Sequence, residues 1–306
     1  MYPLKFKPIV MPKVWGAEHW LLSGYGDNTS VIANGYLQGN TFDEIAEIYM
    51  DELLGQHVFD KFNGFLPLLF KKIDANDKLS VQVHPNDEQA AELNSLGKSE
   101  MWYITKATHE AQIAMGFAQK TSRQQVKEAI EQNTLPELIN YVPVVAGDVA
   151  NIPAGTIHAL CGGTQVLEIQ EASDITYRLY DYARPDEKGN MRQLHVEQGL
   201  EVLNYNRLVQ PLVDYELGDE EVVRLVSDEH FTTNLVVINH PVSRDYVSID
   251  SFVVLMAAEG AFSVGEIGEE EVECGEHELV MLPAAMTDVV IRPKTPETKI
   301  LEVYVP

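Results

Sequence analysis

The 306 residues of this chain give room for two domains, and a composition of 45% hydrophobic and 23% charged residues is that of a protein with a sizeable buried core. The formal net charge of −25 argues against nucleic acid and anionic membrane surfaces as partners, because both attract basic proteins. No stretch approaches the ~18 apolar residues of a membrane span, residues 1–15 lack the apolar segment of a signal peptide, and the 2 cysteines make no disulfide framework, so we expect a globular protein of the cytoplasm.

Three capping motifs predict helices in the first half of the chain. Thr41 and Glu44 form a capping box ahead of an amphipathic segment, and Asn86 opens a short helix that extends through residue 93. The same spacing at Thr121 and Gln124 predicts a third helix. Between and after these helices the pattern changes to short strands.

Strand-like segments separated by Gly, Pro and Asn turns make up most of the remaining chain. Those in the first part are residues 79–84, 101–104, 111–115, 166–170 and 175–180. After an irregular stretch at 204–219, the others are residues 233–238, 247–257, 279–282, 289–292 and 299–305. Many short strands favour barrels or sandwiches over a parallel sheet. We expect one domain at 1–205 and a smaller, all-β domain at 220–306.

The most specific local pattern is G-x5-P-x-G-x2-H, which begins at Gly147 and ends at His158. Gly147 permits a tight turn, and Pro153 with Gly155 turns the chain between two strands of a small barrel. The pattern matches the core of the second cupin motif, in which the histidine points into the barrel. We therefore predict that His158 is a metal ligand rather than an ordinary core histidine.

A second set of polar residues lies on one predicted strand upstream. Because strand side chains alternate between two faces, Ser80, Gln82 and His84 share a face. Such a row either faces solvent or lines a pocket, and the downstream histidine motif favours the pocket. Glu100 begins the next strand and can approach from across the barrel. With His158 these residues supply two imidazoles, a carboxylate and an amide oxygen, a set that suits zinc or iron.

Five segments resemble the type I mannose-6-phosphate isomerases, also called phosphomannose isomerases, and look most like the short bacterial branch of that family. They are residues 65–71, 79–85, 98–101, 153–159 and 173–178. With the strand pattern, the resemblance implies a mainly β fold of two cupin-type jelly-roll barrels, with helical elaboration in the N-terminal half. It also implies a zinc-dependent enzyme that interconverts mannose 6-phosphate and fructose 6-phosphate, with one zinc ion per chain.

The resemblance implies roles for individual residues as well. The zinc ligands would be Gln82, His84, Glu100 and His158. Arg178 would be the catalytic arginine, and Lys98 together with Arg178 would meet the substrate phosphate. The residues that would line the same pocket are Ser80, Lys71, Glu168 and Asp174. The chain departs from the longer members of the family at Ser99, where they have proline, and it has little room for their large helical insertion.

Moving hydrogen between C2 and C1 of a sugar phosphate through an enediol requires a base near both carbons. Glu168 and a metal-bound water are the candidates, and we favour Glu168. The same carboxylate could instead pair with Arg178 and orient it. A divalent metal would act as a Lewis acid on the enediolate oxygen, and Arg178 would add electrostatic stabilisation.

The C-terminal segment offers a second comparison with the cupin pattern. Residues 283–288 resemble a degenerate copy of the motif, with Ala285 at the glycine position and Asp288 at the histidine position. We expect this second barrel to be metal-free and structural.

Other functions fit parts of the pattern. An iron-dependent cupin oxygenase would usually carry H-x-H in its first motif and has no evident need for Lys98 and Arg178. A cupin-type glucose phosphate isomerase and a non-catalytic sugar-binding cupin keep the fold with a different function. The expected partner is a small sugar phosphate, and both a monomer and a homodimer stay open.

Overall fold

The computed structural model of the chain describes residues 1–185, 189–217 and 222–306. Strands predominate over helices within these ranges, so the prediction of a mainly β fold is confirmed. The chain forms two compact units. One consists of Met1–Ile9, Trp20–Lys71 and Asp214–Pro306, and the other of Val10–His19 and Lys72–Val213. The division into domains at 1–205 and 220–306 stays a prediction, and residue 220 itself lies outside the described ranges.

Each of the three predicted capping motifs precedes a helix. The α-helices are α1 (Phe42–Leu54), α2 (Gln56–Phe62), α3 (Asp87–Ala90), α4 (Arg123–Glu131) and α5 (Val196–Val202). The predicted start of α4 was wrong by one residue, because the hydroxyl of Ser122 rather than that of Thr121 accepts the Gln125 amide. In the described part of the chain, no helix has the length and apolarity to cross a membrane.

The strands are numbered along the chain. Those before α3 are β1 (Phe6–Lys7), β2 (Ile9–Lys13), β3 (Gly16–Leu22), β4 (Gly24–Tyr25), β5 (Asn28–Thr29), β6 (Val31–Ile32), β7 (Leu68–Ala75) and β8 (Val81–Val83). Those between α3 and α5 are β9 (Glu100–Ala107), β10 (Gln112–Phe117), β11 (Ile139–Pro143), β12 (Val149–Ile152), β13 (His158–Leu160), β14 (Thr164–Glu171) and β15 (Tyr177–Tyr180). Those after α5 are β16 (Val222–Ser227), β17 (Thr232–Ile238), β18 (Val242–Asp245), β19 (Val253–Glu259), β20 (Phe262–Glu266), β21 (Val272–Cys274), β22 (Leu279–Leu282), β23 (Asp288–Pro293) and β24 (Thr298–Tyr304).

Two sheets carry most of the residues of the predicted site. One has 5 strands in the order β11-β10-β13-β8-β15, and the other has 6 in the order β12-β9-β14-β7-β3-β2. In the first sheet β8 pairs with β13 on one side and β15 on the other, both antiparallel. In the second sheet β9 pairs in the same way with β12 and β14. Strands β8 and β9 are therefore interior strands, which are held on both edges.

Alternation along β8 separates an apolar face from a polar one. Val81 and Val83 are fully buried and pack with residues of the helices, Leu200 of α5 among them. Gln82 lies between them in the strand and so points to the opposite face. Burial of the two valines fixes the register of β8, because a shift by one residue would turn both of them to the other face.

The sheets after residue 221 enclose a core of their own. Their strand orders are β16-β17-β24-β19-β22 and β18-β23-β20-β21. Glu302 on β24 is only 1% exposed, and both its carboxylate oxygens accept hydrogen bonds. The donors are Asn234 at 3.0 Å, Arg244 at 2.7 and 3.0 Å, and Tyr246 at 2.6 Å. The side chains of this region therefore satisfy its buried carboxylate, and its structural, metal-free role stays a prediction.

The strand predicted over residues 247–257 was wrong in its first part. Strand β19 begins only at Val253. Before it, the Asp250 carboxylate accepts the backbone amides of Gln56 at 2.7 Å and His57 at 2.9 Å, at the start of α2. A carboxylate there satisfies helix amides that have no partner within the helix, so this stretch of chain serves as a cap rather than a strand.

We expect Thr41→Ala to lower the free energy of unfolding by about 1 kcal/mol. The Thr41 hydroxyl accepts the Glu44 amide at 3.3 Å, and the Glu44 carboxylate accepts the Thr41 amide at 2.8 Å, so alanine removes half of the capping box. Urea denaturation followed by circular dichroism measures the change. Thr41→Ser keeps the hydroxyl and is the control; equal stability of the alanine and serine variants would contradict the capping role.

Candidate metal centre

Three of the predicted site residues lie in one row across the first sheet. Arg178 on β15 is directly opposite Gln82 on β8, and Gln82 is directly opposite His158 on β13. Residues opposite each other in a ladder point to the same face of the sheet, so the three side chains share a face. The turn that precedes His158 requires a glycine at position 155. Gly155 has φ +83°, and a side chain there would bring its Cβ within 2.9 Å of the Val202 carbonyl oxygen.

Backbone carbonyls orient the two imidazoles. Nδ1 of His84 lies 2.8 Å from the carbonyl oxygen of Ile175, and Nδ1 of His158 lies 2.8 Å from that of Thr156. A carbonyl oxygen only accepts hydrogen bonds, so both imidazoles carry their hydrogen on Nδ1 when neutral. Each Nε2 is then left with a lone pair, the form in which histidine binds a metal.

The Nε2 atoms converge on a buried carboxylate. Glu100 is fully buried; its Oε1 lies 3.2 Å from Nε2 of His158 and its Oε2 lies 3.6 Å from Nε2 of His84. The three ligand atoms lie within 4.8 Å of one another. Neither oxygen of Glu100 has a hydrogen bond of normal geometry within the described residues. Lone pairs therefore face one another at this point, and a divalent cation fits this donor set.

The charge state of the cluster also suits a cation. Burial, and then the adjacent Lys98 ammonium, hold the pKa of the His84 imidazole well below its usual range. Burial alone would raise the pKa of the Glu100 carboxyl, but the Lys98 ammonium, followed by the contact with His158, outweighs it and holds that pKa well below its usual range. Around neutral pH, His84 is therefore neutral and Glu100 is ionised, as metal ligands must be.

Gln82 and Lys98 complete the immediate surroundings. The Gln82 side-chain amide lies 3.3 Å from Nε2 of His158, so this residue reaches the same point as the three ligand candidates. Lys98 is 5% exposed, and its ammonium lies 3.2 Å from both Nε2 of His84 and Oε2 of Glu100. The structure therefore brings Lys98 against the ligand set.

Arg178 is held in a fixed orientation. Its Nε donates to the Ser80 hydroxyl at 3.2 Å, and a terminal nitrogen donates to the carbonyl oxygen of Gln193 at 3.1 Å. Its backbone amide donates to Nδ1 of His195 at 3.2 Å. Burial, and then the charge of Arg192, lower the pKa of the Arg178 guanidinium, yet arginine stays charged at neutral pH.

Glu168 lies across from Trp102 in the ladder of β14 and β9. It is 3% exposed, and its Oε1 accepts a hydrogen bond from the Trp102 indole at 2.9 Å. The Trp102 ring meets the His158 ring edge-on, at 5.5 Å between centroids. Glu168 is thus joined to the metal-ligand cluster through one aromatic side chain, and its role as a base stays a prediction.

The local contacts of two further predicted pocket residues, Lys71 and Asp174, are as follows. Lys71 on β7 is 6% exposed, and its ammonium lies 5.4 Å from the Trp20 ring centroid. Asp174 is exposed in the connection between β14 and β15, next to Ile175, whose carbonyl orients His84. Their roles in a pocket stay predictions.

Several contacts of the site were not predicted from the sequence. The carbonyls of Thr156 and Ile175, and the contacts of Gln193 and His195 with Arg178, all come from turns or loops. Any residue type supplies a carbonyl oxygen, so no sequence pattern marks the first two. Gln193 and His195 lie in a loop that folds back against β15. Hydrophobic periodicity predicts helices and strands, and it does not predict which loop contacts which strand.

Comparison with known proteins identifies the family. Residues 7–126, which include Gln82, His84 and Glu100, match the family model described as the phosphomannose isomerase type I catalytic domain. The mannose-6-phosphate isomerase of Streptococcus mutans is 35% identical over 257 residues, which cover 83% of this chain and 79% of that protein. A mannose-6-phosphate isomerase of Bacillus subtilis is 39% identical over 219 residues, which cover 66% of this chain and 68% of that protein.

Solved structures agree with this assignment. The crystal structure of the mannose 6-phosphate isomerase from Bacillus subtilis superimposes with a TM-score of 0.86 at 27% identity, covering 99% of each chain. A variant of phosphomannose isomerase from Salmonella typhimurium gives a TM-score of 0.79 at 16% identity, again over 99% of each chain, and shows the shared fold alone. From these relatives and the matching family model, we conclude that the chain belongs to the type I phosphomannose isomerase family, whose members are aldose–ketose isomerases.

Proposed function

We propose that this chain is a zinc-dependent enzyme that interconverts mannose 6-phosphate and fructose 6-phosphate through an enediol intermediate. The observation that carries the proposal is the buried Glu100 carboxylate, which faces Nε2 of His84 and Nε2 of His158 without a hydrogen bond of normal geometry in the described residues. A buried charge in that state favours a bound cation. The family relationship supports the choice of reaction, since the relatives are named for it.

The finer architecture is part of the same proposal. We propose that the chain has two cupin-type jelly-roll barrels, a catalytic one within 1–205 with helical segments and a metal-free one within 220–306. The short antiparallel strands and the TM-score with the Bacillus subtilis enzyme support it. We place the enzyme in the cytoplasm with a small-molecule substrate, as its composition predicts.

Gln82, His84, Glu100 and His158 are the residues that would hold one zinc ion. Imidazole and carboxylate ligands suit zinc and iron alike, and zinc is the metal implied by the sequence resemblance. When bound, a divalent ion supplies Lewis acidity toward an oxygen on the sugar carbon that loses its proton.

Two cations of the chain, Arg178 and Lys98, would bind the substrate. Ser80 and the carbonyl of Gln193 hold two nitrogens of Arg178, so its guanidinium plane is fixed before substrate arrives. A guanidinium fixed in this way binds phosphate or stabilises a developing oxyanion without reorganising. Lys98 lies against Glu100 and His84, and we propose that its ammonium meets the substrate phosphate together with Arg178. Lys71 and Asp174 are the further proposed pocket residues.

Glu168 is the proposed base. It would take the proton from C2 of the aldose and return it to C1, while the hydroxyl proton on O2 moves to O1, so that the atoms of aldose and ketose balance. The indole of Trp102 donates a hydrogen bond to one oxygen of Glu168 at 2.9 Å. The same bond fixes the direction of the carboxylate, as a base acting on two adjacent carbons requires.

Metal removal tests the proposed function directly. Purified protein is assayed for conversion of mannose 6-phosphate to fructose 6-phosphate, then treated with a chelator, dialysed and supplied with zinc. We expect activity to disappear with the metal and to return with zinc, because the proposed reaction needs the Lewis acidity that the bound ion supplies. A zinc-loaded, folded protein that converts no mannose 6-phosphate would contradict the isomerase proposal and favour another metal-cupin function.

Glu100→Gln tests the metal centre apart from catalysis. We expect zinc affinity to fall by more than ~100-fold, since altering even the supporting residues of a metal site costs 10–100-fold. The exposed Glu92 offers a matched control, and Glu92→Gln is expected to bind zinc like the unaltered chain. Zinc affinity is measured by competition with a chromophoric chelator. Full zinc affinity in Glu100→Gln would exclude Glu100 as a ligand.

Arg178→Lys tests the fixed guanidinium. Lysine keeps the charge but loses the bonds to Ser80 and Gln193, so we expect kcat/KM to fall by about 10²–10³ with zinc content unchanged. Arg123→Lys is the control, because Arg123 is an exposed residue paired with Glu197 on the surface. Steady-state kinetics on both variants, with metal analysis, decide the point; equal kcat/KM in the two variants counts against a catalytic Arg178.

A further inference from the structure

Glu171, a buried carboxylate at the end of β14, holds the residue between Lys98 and Glu100. The Ser99 amide donates to Oε2 of Glu171 at 2.7 Å, and the Ser99 carbonyl accepts the Glu171 amide at 3.1 Å. Ser99 is 6% exposed and Glu171 is 3% exposed, so water does not readily replace either bond. Glu171 therefore fixes both peptide groups that flank the Ser99 α-carbon.

The segment just before β9 depends on contacts of this kind. It precedes the regular ladder, and its successive amides each find a separate acceptor. Gly97 donates to the Asp87 carboxylate at 2.7 Å, and Lys98 donates to the carbonyl of Pro85 at 2.9 Å. The Ser99 bond is the one nearest to both Lys98 and Glu100, and its acceptor is a carboxylate, which strengthens it.

Ser99 also touches the turn that leads to the second imidazole. Its hydroxyl accepts the Ala154 amide at 3.4 Å, within the turn that precedes His158. A displacement of Ser99 would therefore move both Glu100 and the turn before His158.

We propose that Glu171 is a positioning residue, which sets the places of Lys98 and Glu100 through the backbone of Ser99. Glu171 acts through Ser99, so its effect is on geometry: a shift of about 1 Å in a positioned group costs up to ~10² in rate. The expected effect of Glu171 on zinc affinity depends only on the cluster of His84, Glu100 and His158. Its expected effect on turnover rests on the proposed function.

Three substitutions separate the hydrogen bond from the charge. Glu171→Ala removes both, Glu171→Gln keeps an acceptor oxygen without the charge, and Glu171→Asp keeps the charge but withdraws it by one methylene. We expect 10–100-fold weaker zinc binding in the alanine and aspartate variants and near-normal binding in the glutamine variant. The full chain is titrated with zinc against a chromophoric chelator.

Thr41→Ala serves as the control for general destabilisation. Its effect lies at a helix cap, so it is expected to lower unfolding stability while binding zinc like the unaltered chain. With zinc saturating, kcat for mannose 6-phosphate should fall in Glu171→Ala and recover in Glu171→Gln.

Normal zinc binding in Glu171→Ala, or binding in Glu171→Gln as weak as in Glu171→Ala, would overturn the proposal. If the alanine variant does not fold, the glutamine and aspartate pair decides, since equal zinc affinity in these two variants also overturns it. An unaltered, zinc-loaded chain without isomerase activity would refute the proposed function, while the zinc comparison would still test Glu171.

Discussion

The site depends on the buried Glu100 carboxylate, whose oxygens have no hydrogen bond of normal geometry within the described residues. A buried charge is costly unless opposite charges or a metal compensate it. Here part of the compensation comes from the Lys98 ammonium, 3.2 Å from Oε2 of Glu100. The Nε2 lone pairs of the two neutral imidazoles face the same carboxylate and add no positive charge, so the three groups together form a donor set that fits a cation. This arrangement fits a divalent cation, which is how the fold of these strands leads to the proposed metal chemistry.

The surrounding structure maintains that arrangement with backbone groups. Carbonyls of Thr156 and Ile175 fix the hydrogen of each imidazole on Nδ1 and so leave Nε2 available. Both carbonyls lie outside the strands, where a ladder does not engage their oxygens. The strands set which face each ligand occupies, and the turns beside them set the ring orientation.

Glu302 is a second buried carboxylate, but its charge is compensated by hydrogen-bond donors from neighbouring side chains. It is also almost fully buried, but Asn234, Arg244 and Tyr246 donate to both of its oxygens. A carboxylate whose acceptor positions are occupied by side chains has little left to offer a metal. Burial of a carboxylate therefore does not by itself leave its oxygens available to a metal; the supply of hydrogen-bond donors from neighbouring strands decides.

The sequence by itself determined the features that depend on local periodicity and turn chemistry. The helix starts at Thr41 and Asn86 follow from side chains three residues apart, and the common face of Gln82 with its neighbours follows from strand alternation. His158 was found because its turn requires Gly and Pro at fixed spacing. Such signals fail at boundaries, as at Ser122 and in the stretch before Val253, because a helix cap there competes with the local pattern.

Tertiary structure alone decided which of these residues meet. Cross-strand register placed Glu168 beside Trp102, and packing placed Lys98 against His84. The hold of Glu171 on Ser99 joins residues 72 positions apart. Local propensities encode the conformation of each segment, whereas contacts between distant segments depend on how strands are ordered and how their faces pack. The sequence therefore predicted the candidate ligands, and only the folded chain showed how their lone pairs and charges converge.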